Sequence, residues 1–109
     1  MTRQEIAAMV AGIGLPNAYY QFPDDTPQAP PFICFFFSLS DDVYADDENY
    51  QGIEQLNIEL YTNEKDFELE KSVEDTLKAN NLTYYKEENW LDSEKMFQIA
   101  YEMEVMING

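Results

Sequence analysis

The sequence predicts an α+β fold: a mostly antiparallel sheet of four to five strands with two helices packed on one face, in the order α-β-β-β-α-β-β. Three observations predict it. Two segments repeat apolar residues at helical spacing, Ile6, Met9, Val10 and Ile13 near the start and Leu69, Val73 and Leu77 further on. Two others alternate apolar and polar residues at the strand period, one from Ile53 and one from Phe97. The 109 residues match one domain, expected to span 1–109, and show no internal repeat. Each helix has one apolar stripe and two strands have one apolar face, so both helices belong on the same side of the sheet.

The first helix opens at Thr2, where Thr2 followed by Glu5 forms a capping box that satisfies two orphan backbone donors. Gly12 and Gly14 end it, with Pro16 beyond. Residues 18–22 hold Tyr19-Tyr20-Gln21-Phe22, an aromatic, β-favouring stretch closed by Pro23. Residues 23–31 form a loop, because four prolines in nine positions remove too many backbone donors for regular structure. Phe32 to Leu39 is the next strand. Phe32, Cys34 and Phe36 share one face while Ile33, Phe35, Phe37 and Leu39 share the other, so both faces call for cover.

Residues 40–52 read as a second loop, since Asp41, Asp42, Asp46, Asp47 and Glu48 repel one another. From Ile53 the pattern is clean. Leu56, Ile58 and Leu60 point one way, and Gln55, Asn57, Glu59 and Tyr61 the other. Thr62 to Asp66 supplies capping residues for the second helix, whose stripe of Leu69, Val73 and Leu77 is flanked by Phe67 and Thr76. Glu68, Lys71, Glu74, Asp75 and Lys78 make a solvated charged face, and Asn80-Asn81 a left-handed exit. A short strand is expected near 82–86, followed by a polar connection holding Trp90. In the last strand Phe97, Ile99, Tyr101, Met103, Val105 and Ile107 alternate with Gln98, Ala100, Glu102, Glu104 and Met106.

Composition narrows the chemistry. Six Lys plus Arg face 22 Asp plus Glu, a formal net charge of −16, and there is no histidine. The commonest general base and metal ligand is therefore missing. Cys34 is the single cysteine, so it builds no thiolate metal site and no internal disulfide, and a reducing compartment is expected. Hydrophobic residues at 45% and aromatics at 15% rule out a disordered acidic tail. The start lacks a charged-then-apolar leader, and the densest apolar run, Phe32 to Phe37, is far short of the roughly 20 residues that span a bilayer. A soluble protein without an export signal is expected. Its charge repels phosphate backbones, because nucleic-acid affinity comes from cations that release counterions. The acidity then suits a surface that lets DNA pass without sticking or one that imitates DNA, while solubility alone also accounts for it.

No reactive constellation stands out. Residues 46–52 offer oxygen donors, but glycine falls at the seventh position and Asn57 at the twelfth, where a calcium-binding loop needs the sixth and a glutamate. With 22 acids some carboxylates lie close by chance; Glu102 and Glu104 share one strand face. The aromatic residues lack the basic groove of a base-stacking platform. Neither a catalytic residue nor a cofactor or metal is expected. What remains is spare apolar surface on the strand at 32–39, which a long loop, a second copy or a protein partner covers.

Several stretches carry a resemblance: Leu15-Pro16-Asn17-Ala18-Tyr19-Tyr20-Gln21-Phe22, Pro30-Pro31-Phe32-Ile33, Asn57-Ile58-Glu59-Leu60-Tyr61-Thr62 with Lys65-Asp66 and Leu69-Glu70, and Ser93-Glu94-Lys95 through Tyr101-Glu102. Over nearly the whole chain the sequence resembles small tail-terminator or tail-completion (tail-to-head joining) proteins of long-tailed phages and prophages of Gram-positive bacteria. It departs from them in Phe35-Phe36-Phe37 and Trp90. The resemblance implies a structural protein of the virion tail or neck, made in the bacterial host cytoplasm. Such proteins form a homo-oligomeric ring, typically hexameric, on the head-proximal end of the tail tube. The ring stops tube growth and presents a surface for head–tail joining. Its partners would be its own copies, the major tail tube protein, and head-completion or neck proteins, with no enzyme activity, no direct grip on nucleic acid and no membrane. On this reading Phe35, Phe37 and Leu39 make subunit contact, and Asp41, Asp42, Asp46, Asp47 and Glu48 form a lumen or partner-facing loop. The alternative is an acidic DNA mimic that inhibits a DNA-binding host protein.

Overall fold

The computed structural model describes residues 1–39 and 52–108. In chain order these form α1 (Arg3–Ala11), β1 (Asn17–Tyr19), β2 (Phe32–Leu39), β3 (Ile53–Thr62), α2 (Phe67–Ala79), β4 (Tyr85–Leu91) and β5 (Met96–Met106). The fold is α+β, with the expected order of elements. The five strands make one sheet in the order β1-β2-β3-β5-β4, parallel between β1 and β2 and antiparallel elsewhere.

Local chemistry sets the ends of these elements. Glu5 N–H donates to Thr2 Oγ1 at 3.0 Å and Thr2 N–H to a Glu5 carboxylate oxygen at 2.7 Å, so the capping box is formed. Asp66 caps α2 by accepting from Leu69 N–H, and Asn81 leaves it at φ 58°. β1 is shorter than the aromatic stretch that announces it. Tyr20 sits at φ 72°, and Gln21 N–H donates back to Tyr19 carbonyl at 2.9 Å, a tight turn that ends the strand. The chain then returns so that β2 can run parallel to β1, with Phe22 packed edge-on to Phe32 at 5.4 Å.

One expected strand is displaced. The strand foreseen at 82–86 lies at Tyr85–Leu91, so Trp90 belongs to β4 and not to a connection. Residues 92–95 link it to β5 with Lys95 at φ 53°, and this short turn pairs Leu91 with Met96 and Trp90 with Phe97. The two rings meet at 4.8 Å.

The core fills the side of the sheet that carries the helices. Register places Ile33 opposite Leu60, Phe35 opposite Ile58, and Ile58 opposite Tyr101, and all of these are buried with Ile6, Met9 and Val10 of α1 and Val73 and Leu77 of α2. Both helices therefore cover the same face. Phe67 is not part of the stripe: it is 73% exposed, with the Lys65 ammonium 4.8 Å from its ring centre.

An ionic cluster joins α2 to this face. Glu70 is only 2% exposed, and its carboxylate oxygens lie 2.6 Å from Lys65 Nζ and 2.9 Å from Lys86 Nζ. Lys86 also reaches Glu74 at 2.7 Å, and the Tyr101 hydroxyl donates to Glu74 at 2.8 Å. Glu74 is thus half-buried and engaged, a correction to the solvated face expected of it. Burial alone would raise the Glu74 pKa, but hydrogen bonds from Lys86 and Tyr101 outweigh it and hold it below the ordinary carboxylate value. Burial likewise opposes the Lys86 charge, yet hydrogen bonds to Glu74 and Glu70 push its pKa up to about 12.

Two outcomes are expected. Ile58→Ala, which leaves a cavity at the centre of the sheet, lowers unfolding free energy by about 3 kcal/mol in urea titrations. Lys86→Met costs about 1–2 kcal/mol at neutral pH, because Glu70 keeps one ammonium and loses the other. The Glu74 contribution is present above the ordinary carboxylate pKa of about 4.3 and is lost as pH falls through the lower folded value. The gap between Lys86→Met and wild type therefore narrows in acid.

Candidate interaction face of the sheet

The face away from the helices is built by the alternate residues of the same strands. Register sets them in rows across β2, β3, β5 and β4: Phe32, Tyr61, Gln98 and Asn89; then Cys34, Glu59, Ala100 and Glu87; then Phe36, Asn57, Glu102 and Tyr85. Ser38, Gln55 and Glu104 follow, where β4 no longer reaches. Among the described residues no helix lies on this side.

The β1–β2 half is aromatic. Phe32 stacks on Tyr61 at 4.8 Å, and Tyr20 lies 5.3 Å from Phe36. Cys34 is buried among this set; burial, then the Glu59 charge, push its thiol pKa up, which makes it a small apolar side chain with little thiolate. The β3–β5–β4 half is polar and tied together by hydrogen bonds. Asn57, 7% exposed, donates to Ser38 Oγ at 3.2 Å, while Gln55 donates to Asn57 and to a Glu102 oxygen, both at 3.1 Å. In the neighbouring rows Tyr61 O–H donates to Glu59 at 2.8 Å, Gln98 donates to the Tyr61 oxygen at 3.0 Å, and Asn89 donates to Gln98 at 3.1 Å and to Glu87 at 3.2 Å. Burial raises the Tyr61 pKa above its ordinary value, and the Glu59 carboxylate adds to the rise.

Charge is partitioned between the two sides. Five of the six cations form ion pairs among the described residues: Arg3 with Glu54, Lys65 with Glu70 and Glu88, Lys71 with Asp75, Lys86 with Glu70 and Glu74, and Lys95 with Asp92. None of these pairs involves Glu59, Glu87, Glu102 or Glu104. Three of those four carboxylates are oriented by neutral donors from Tyr61, Asn89 and Gln55. Beyond the end of β4 the sheet drops into a hollow of about 670 Å³, lined by Gln55, Glu102 and Glu104 with the segment 81–85 as its wall.

The residues expected at a subunit contact are placed differently from one another. Phe35 is 7% exposed and lies in the core, edge-on to Tyr19 at 5.4 Å, so its ring is already used within the chain. Phe37 is half-buried beneath the Arg3 guanidinium, 5.4 Å from the ring centre, and lines a hollow of about 460 Å³ with Tyr19 and Arg3. Leu39 is the last residue of β2 and pairs with Glu54. Asp41, Asp42, Asp46, Asp47 and Glu48 lie outside the described residues. The spare surface of β2 is the alternate set, Phe32 and Phe36. The strand alternation already pointed Gln55, Asn57, Glu59 and Tyr61 outward; their union with Gln98 and Asn89 needed the register. Among the described residues no group of three or more acidic or cysteine side chains is placed to hold a metal ion, and no helix is long and apolar enough to cross a membrane.

Comparison with protein families, with curated proteins and with solved structures found no match to this chain.

Among the six described tyrosines, burial and neighbouring carboxylates raise the pKa of Tyr61, Tyr84 and Tyr101. Absorbance titration of the folded chain should therefore show tyrosines ionising above the ordinary range near 10. Tyr61→Phe removes one of the late ionisations and, by releasing the Glu59 and Gln98 side chains, costs about 1 kcal/mol of stability.

Proposed function

We propose that the chain is a phage tail-terminator or tail-completion protein, a ring-forming structural subunit that caps the head-proximal end of the tail tube and offers the joining surface to the head side. The observation that carries this reading is a sheet that, among the described residues, carries helices on one face only, with an aromatic and acidic set of side chains on the other. Natural monomers seldom leave contiguous aromatic surface such as that of Tyr20, Phe32, Phe36 and Tyr61 without use. The resemblance across the chain supplies the biological setting, and the absence of histidine suits a role carried by interfaces. In the ring, copies meet at the β1 edge, where Tyr19 and Phe37 line a hollow, and the open sheet face is left for a second protein. The acidic segment at 41–48 keeps a DNA conduit free of cationic grip.

Tail tube subunits encoded by the same genome provide the test. Added to growing tubes, the chain should stop elongation and appear as a cap at one end in negative-stain images, with a ring mass on the cap. Tubes that keep growing, together with a monomer or dimer that captures a nuclease or polymerase, would favour the DNA-mimic reading instead. Replacing Asp41, Asp42, Asp46, Asp47 and Glu48 by lysine should impair joining or DNA passage; unchanged particle yield would remove the role given to that segment.

A further inference from the structure

We propose that the sheet face that carries no helix among the described residues docks a lysine- and arginine-rich protein surface, with one cationic side chain seated in the hollow over Glu102 and Glu104. The charge partition alone carries this, with or without a ring. Glu59, Glu87, Glu102 and Glu104 share the face, and none of them takes part in an ion pair among the described residues.

Four features make the face more than a solvated acidic patch. The carboxylates of Glu59, Glu87 and Glu102 are each fixed through one oxygen by a neutral donor, which leaves their negative charge uncompensated and the remaining oxygen free to accept. The hydrogen-bonded rows through Asn57, Gln55, Tyr61, Gln98 and Asn89 hold them in place before any partner arrives, so little side-chain entropy is left to lose on binding. Beside them, Tyr61, Phe32, Phe36 and Tyr85 offer ring surface on which an arginine plane or a lysine stem can lie. The hollow of about 670 Å³ over Glu102 and Glu104 accommodates a long side chain, and Gln55 and the segment 81–85 wall it.

Charge also selects among occupants. A second copy would bring another net charge of −16 and present no cation from its own open face. Nucleic acid and anionic lipid are repelled for the same reason. A cationic protein surface is the occupant whose potential complements the face.

The test uses the isotope-labelled full chain and the blocked pentapeptide Arg-Tyr-Arg-Tyr-Arg, followed by NMR and calorimetry. Amide shifts should centre on Gln55, Glu59, Ala100, Glu102 and Glu104. Glu102→Gln with Glu104→Gln should weaken binding about tenfold, while Glu64→Gln with Glu68→Gln, the same charge change beside α2, should alter it less than about twofold. The Glu-Tyr-Glu-Tyr-Glu peptide should not bind. Equal weakening by both pairs, shifts centred on the helices or on residues 40–51, or no binding at millimolar peptide would overturn the proposal. So would a dimer mass accompanied by concentration-dependent shifts of this face without peptide, which would assign it to a second copy.

Discussion

Strand β3 holds the constraint from which the rest of the molecule follows. It lies between β2 and β5, and its period of two commits Leu56, Ile58 and Leu60 to the helices and Gln55, Asn57, Glu59 and Tyr61 to the opposite side. A slip of one residue would exchange the two sets, burying Glu59 under α2 and setting Ile58 in water. Because burial of each large aliphatic side chain is worth about 1.5–3 kcal/mol, the register is strongly fixed. The same register that builds the core therefore builds the open face.

Electrostatics follow the same division. On the helix side, the buried Glu70 is held between two ammonium groups, and Tyr101 and Lys86 share Glu74. This arrangement costs desolvation and returns it through close geometry, so it fixes the seating of α2 more than it adds net stability. It also consumes two of the few cations in a very acidic chain. What is left on the far side is negative charge oriented by amides and a phenol. The proposed docking face lies where no ion pair is formed among the described residues.

The legible part of the sequence was the part with one clear period. β3 and β5 alternate without interruption, the Leu69, Val73 and Leu77 stripe marks α2, and the Thr2 and Glu5 pair marks the start of α1. β2 was ambiguous because both of its faces are apolar; only pairing of Ile33 with Leu60 and Phe35 with Ile58 shows which face is core. That is why Phe35, a reasonable choice for an external contact, turns out to be internal. β4 was misplaced because its Lys, Glu and Asn residues have low strand propensity, and long-range pairing with β5 overrides it. The parallel pairing of β1 depends on the turn at Tyr20, which no residue type announces. The polar rows of the open face were visible as outward positions on separate strands and became a surface only when the sheet order was known.

Among the described residues these elements leave one sheet face under helices and the other without one. The proposed terminator or completion role would use that asymmetry, because a protein at a junction must be stable alone and still have a specific surface to give. The most direct measurement of the asymmetry is hydroxyl-radical footprinting of the isolated chain, read residue by residue in a mass spectrometer. The account expects strong modification of Tyr20, Tyr85 and Met106 and near-complete protection of Phe35, Tyr101 and Met103. Equal protection on both faces, or modification of Phe35 and Tyr101 at the level of Tyr20 and Tyr85, would contradict it.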